Sequence, residues 1–106
     1  MTYRVILSRR AQNDLRAIHR YIRADAPSAA REWLRQAKLA AKSLRQHPER
    51  CPQAPESVAF DKLVRHSLFG VGNRGTYRFL FHVKGNLVEV FHVRHGSRRP
   101  LSPSDE

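Results

Sequence analysis

Histidine and arginine crowd the last third of the chain. Between residues 62 and 99 stand eight Lys or Arg and four His against a single acidic residue, Glu89. Metal-free cleavage of an RNA phosphodiester needs a proton acceptor, a proton donor and cations for the phosphorane, and imidazoles and guanidiniums can supply all three. Arg78 interrupts the apolar run of Tyr77, Phe79, Leu80 and Phe81, and the strand-like stretch that follows ends in His92-Val93-Arg94-His95-Gly96-Ser97-Arg98-Arg99. These residues make Arg78, His92 and His95 the catalytic candidates. Arg65, Arg74, Arg94, Arg98 and Arg99 are the candidates for gripping an anionic partner, either phosphate or an acidic protein segment. Arg78 has a second reading of equal weight, as an anchor for a carboxylate or a backbone carbonyl.

Other chemistries fit less well. Residues 70–75 match G-x-G-x-x-G, but strand-like sequence follows where the fingerprint needs a helix to present its N–H groups to phosphate, so no nucleotide cofactor is expected. Histidines spaced i, i+3 on a strand point to opposite faces, and the matching carboxylates are missing, so no metal is expected either. The single cysteine, Cys51, excludes an internal disulfide framework and fits a reducing compartment. Net charge is +11 with a sequence pI of about 11.2, more than solubility requires. No apolar run is long enough to span a membrane or to form a signal-peptide core, which leads to the expectation of a soluble, cytoplasmic protein.

The elements that must position these residues are legible from spacing. Residues 3–8 read as a strand running into a capping serine. Ala11, Leu15, Ile18 and Ile22 recur at helical spacing over residues 9–24. Pro27 opens a second helix carrying Ala30, Trp33, Leu34, Ala37, Ala41 and Leu44, and the pair makes a helical hairpin. Pro48, Pro52 and Pro55 predict an irregular loop of about ten residues. Strands follow at 62–69, 76–83 and 87–94, the last two joined around Gly85-Asn86. A two-residue turn there sets Arg78 on a face with Phe91, Val93 and His95; a three-residue turn sets it with His92 and Arg94. The order is β-α-α-β-β-β: one α+β domain over residues 1–99, its helical hairpin packed on one face of a small antiparallel-rich sheet, with a loose tail at 100–106.

Five stretches carry a resemblance to a known family. They are Tyr3-Arg4-Val5, Ile18-His19-Arg20-Tyr21-Ile22, Leu44-Arg45-Gln46-His47-Pro48, Gly75-Thr76-Tyr77-Arg78-Phe79-Leu80-Phe81 and Val93 to Arg99. In order and spacing they resemble the RelE/ParE toxin superfamily of type II toxin–antitoxin modules, over nearly the whole chain. The resemblance implies a small cytoplasmic toxin, linked to plasmid stabilization, that arrests growth and is neutralised by a co-expressed antitoxin. RelE-like members cleave messenger RNA on the ribosome without metal, whereas ParE-like members poison DNA gyrase. Arg78 matches the position of a catalytic arginine of the nucleases, and Arg98 falls near a second. Those nucleases often carry a tyrosine near the C-terminus; here the tyrosines are Tyr3, Tyr21 and Tyr77, so under this reading His92 or His95 would transfer protons. The expectation is therefore a ribosome-dependent mRNA interferase, with gyrase poisoning as the alternative. A basic nucleic-acid-binding module is the reading outside toxin biology.

Overall fold

Residues 2–70, 76–100 and 102 are described by the computed structural model of the chain. Strand β1 (Arg4–Leu7) leads into helix α1 (Arg9–Asp25), and helix α2 (Pro27–Ser43) follows after one residue, Ala26. Ser8 caps α1, its Oγ accepting from the Ala11 N–H at 3.1 Å, and so satisfies one of the donors that a helix start leaves open. Pro27 sits in the first turn of α2, where a missing N–H costs nothing. Strands β2 (Arg65–Gly70), β3 (Thr76–Lys84) and β4 (Leu87–His95) complete a sheet of order β1-β4-β3-β2. β1 pairs parallel with β4 and the other pairs are antiparallel, in agreement with the expected α+β architecture.

The region expected to be irregular is not wholly so. It holds a 3₁₀ turn at Pro48–Arg50 and a short helix α3 (Glu56–Phe60). Proline forbids a helix interior but not a helix start: Pro48 occupies the first turn of the one and Pro55 precedes the other. α3 matters because it brings Glu56 under the sheet.

The helical hairpin packs on one sheet face. Ala11, Ile22, Ala30, Trp33 and Ala37 from the helices meet Phe69, Tyr77, Phe79, Phe81, Val88, Val90 and Val93. Trp33 stands edge-on to Tyr77 at 5.3 Å between ring centroids, an arrangement that aromatic quadrupoles favour. A second, smaller cluster of Ala54, Val64, Leu80 and Phe91 includes β3 and β4 residues from the opposite face.

Turn length does not decide the register of β3 against β4. Lys84 pairs with Leu87 across Gly85-Asn86, a two-residue turn with Gly85 at φ 61°, where glycine carries no steric penalty. Leu80 pairs with His92 but Phe81 with Val90, so Phe91 bulges out of β4. That extra residue moves everything beyond it by one, and Arg78 faces Arg94 as if the turn had three residues. Beyond β4 the chain is held close to β3: the Gly96 N–H donates to the Thr76 carbonyl at 2.6 Å. A Cβ at Gly96 would lie 2.9 Å from that oxygen, so only glycine lets the chain approach this closely before Arg98 and Arg99.

Candidate functional site: a buried arginine network and a basic cleft

Alternation along β3 sends Tyr77, Phe79 and Phe81 to the helices and Arg78 to the other face. There Arg78 is buried, and its guanidinium makes a two-pronged pair with Glu56, Nη1 to Oε1 at 2.9 Å and Nη2 to Oε2 at 2.6 Å. Nη1 also donates to His66 Nδ1 at 3.0 Å, so that ring carries its own hydrogen on Nε2. Burial, reinforced by the neighbouring Arg78 charge, holds His66 below the usual histidine range. Glu56 is wholly buried, and nothing in its local sequence separates it from an ordinary loop acid; its partner lies 22 residues further along the chain.

The other candidates gather elsewhere. A cleft of about 410 Å³ opens between α1, which contributes Asp14 and Tyr21, and the end of β4, which contributes His92, Arg94 and His95. Arg98 and Arg99 also line it. β1 stops at Leu7, and α1 takes over the vacated edge of β4: the Ser8 hydroxyl donates to the Phe91 carbonyl at 3.2 Å, and the Val93 N–H donates to Asp14 Oδ2 at 3.0 Å. Three of the four catalytic candidates, His92, His95 and Arg98, therefore share this cleft, whereas Arg78 does not line it.

Each histidine here has its own arrangement. His92 is buried, with Nδ1 3.0 Å from Asp14 Oδ2 and 3.2 Å from the Val93 carbonyl, so Nδ1 must carry the hydrogen. Its Nε2 is buried without a partner. Burial holds its pKa below the usual range, Asp14 opposing and Arg10 and Arg94 assisting. His95 is half-buried, and its Nδ1 accepts from the Ser97 N–H at 3.1 Å and lies 2.6 Å from the Ser97 hydroxyl. His82 lies 2.7 Å from Glu89. The four imidazoles of the C-terminal third thus answer to four different neighbours, and no group of three or more metal-ligating residues occurs among the described residues.

Among the expected partner contacts, Arg65 uses its Nη1 on the carbonyls of Glu49 (3.1 Å) and Cys51 (2.7 Å), tying the proline-rich segment to β2. Arg74 and residues 71–75 of the glycine motif lie outside the described residues. Arg94 is buried, opposite Arg78, and its guanidinium pKa is lowered by burial first and then by Arg98 and Arg78. Sequence reasoning missed Asp14 and Glu56, the two carboxylates that organise these groups. Asp14 carried only the i, i+4 signal of a surface pair with Arg10, which it also makes at 3.0 Å.

The family model for the ParE toxin of the type II toxin–antitoxin system parDE matches residues 5–100. The chain belongs to the ParE toxin family. Its fold is that of a chain in the solved chromosomal ParDE TA system from P. aeruginosa, with a TM-score of 0.65 at 19% identity, covering 89% of this chain and 96% of that one. No curated protein matches the chain. The expected RelE/ParE superfamily membership and β-α-α-β-β-β order are therefore shown, with α3 added between α2 and β2. No helix among the described residues is long and apolar enough to cross a membrane.

Proposed function

We propose that this ParE-family protein is a cytoplasmic toxin that is held in check by a cognate antitoxin and, when freed, arrests growth by binding DNA gyrase, without performing chemistry of its own. Family membership supports the toxin role. The observation that carries the choice of target is the state of Arg78. At the position the nuclease reading needs, the guanidinium is buried in a two-pronged pair with Glu56 and lies outside the cleft that holds His92, His95 and Arg98. A guanidinium whose Nη atoms are taken by Glu56 and His66 has little left with which to stabilise a phosphorane. This reverses the order of the two mechanisms weighed from sequence: gyrase poisoning comes first and mRNA cleavage second.

The test uses purified, antitoxin-free protein in two parallel assays. Incubation with gyrase, ATP and supercoiled plasmid should give linear DNA after protein denaturation, the signature of a trapped cleavage complex. Programmed ribosomes should show no new mRNA ends by primer extension. Ribosome-dependent cuts without trapped gyrase would overturn the reading in favour of the interferase.

A further inference from the structure

We propose that the cleft between α1 and the end of β4 binds a terminal phosphate group, held by the Arg94 guanidinium and by Nε2 of His92. Both side chains are more than nine-tenths buried, with 4% and 3% exposure, and both line the cleft. Both are also unfilled. The Arg94 guanidinium makes no hydrogen bond to any described side chain or backbone group, and its Nε, like that of Arg78, is buried without an acceptor. His92 spends Nδ1 on Asp14 and the Val93 carbonyl and leaves Nε2 buried without a partner.

Burying a cation without a hydrogen-bonded counter-charge is among the costlier arrangements in a folded chain. Arg78, directly across from Arg94, has its two-pronged carboxylate. Arg94 faces Arg78 instead and shares Glu56 with it only at a distance, without a hydrogen bond; burial, Arg98, Arg78 and Arg99 depress its pKa, and Glu56 opposes them. An anion at Arg94 completes the pattern. His92 and Arg94 are two residues apart on a regular stretch of strand, on one face and about 7 Å apart along it, so a single small group can meet both.

The chemistry of Nε2 selects among anions. Because Nδ1 carries the hydrogen and burial disfavours the imidazolium, Nε2 presents a lone pair that needs a donor. A carboxylate at neutral pH brings no proton and only one charge. A phosphodiester brings no hydroxyl. A terminal phosphate, whose second ionisation lies near pH 6, brings a proton that Nε2 can share as its monoanion and, once that proton passes to Nε2 or to solvent, a second negative charge for the guanidiniums. This site does not depend on the toxin's target, so its failure would leave the gyrase reading standing.

The experiment is a titration of the full chain with inorganic phosphate at constant ionic strength, set with NaCl, and read by the ring ¹⁵N signals of His92. Acetate and dimethyl phosphate serve as the carboxylate and diester comparisons. Phosphate should bind saturably, move the His92 Nε2 signal, and bind at least about tenfold more tightly than either comparison. Arg94→Gln should weaken it about tenfold or more. Arg98→Ala, at an exposed position whose loss leaves the core intact, should weaken it severalfold. Non-saturable shifts, a stationary Nε2 signal, equal binding of acetate or of dimethyl phosphate, or undiminished binding by a folded Arg94→Gln protein would each overturn the proposal.

Discussion

Arginine is expensive to bury, and Arg78 is buried because Glu56 is there to receive it. The pair exposes 7% and 0% of its side chains, so solvent screens it little. Removing one partner leaves an uncompensated charge in the interior, and Glu56→Ala should cost about 3–5 kcal/mol of stability, read as a lowered urea midpoint at unchanged slope. Replacing both, as Arg78→Met with Glu56→Leu, should recover most of that loss, because apolar groups of similar volume need no desolvation to be overcome. A Glu56→Ala protein within about 0.5 kcal/mol of the wild type would mean that water reaches the guanidinium. Arg78 shows where sequence legibility stopped at this scale. Its intrusion into an apolar strand was plain, and so was the pair of roles it could play. The choice between them lay in a carboxylate 22 residues away, on a helix too short and too proline-flanked to be read.

Elements were more legible than their junctions. The 3.6-residue recurrence of Ala11, Leu15, Ile18 and Ile22 and the apolar density of β3 and β4 identify structure because burial on one face demands those periods. The bulge at Phe91 has no such signature: nothing in a run of Val, Phe and His announces which residue will be left unpaired. Yet the bulge decides that Arg78 meets Arg94 and that His92 meets Leu80. The junction at Ser8 is a place where element and site join. Its Oγ caps α1 and also donates to the carbonyl of Phe91, the bulged residue, so one hydroxyl fixes both the start of the helix and the strand edge it covers. Ser8→Ala should therefore cost about 1–2 kcal/mol, toward the upper end for a lost cap. Ser8→Thr, which keeps the hydroxyl, should cost distinctly less. Denaturation midpoints of the two variants decide it; equal losses would assign the effect to the fit of the side chain and not to its hydrogen bonds.

At the scale of the whole molecule the dominant fact is charge. Twenty Lys and Arg stand against nine Asp and Glu. A free toxin carrying this excess repels itself and attracts any acidic surface from beyond contact range. Close packing between partner and toxin determines how long a complex lasts, while the long-range field determines how fast it forms. The two respond differently to salt, because screening shortens the reach of the field to about 8 Å at physiological ionic strength but leaves buried contacts largely untouched. If the cognate antitoxin presents an acidic segment, as the charge of this chain leads one to expect, raising NaCl from about 0.05 to about 0.5 M should lower the association rate constant by about tenfold or more, with a much smaller change in the dissociation rate. Stopped-flow mixing of the purified partners measures both. A flat association rate with salt-sensitive dissociation would mean that the positive charge is met inside the interface, by ion pairs formed only after docking, and that steering plays no part in how quickly the toxin is silenced.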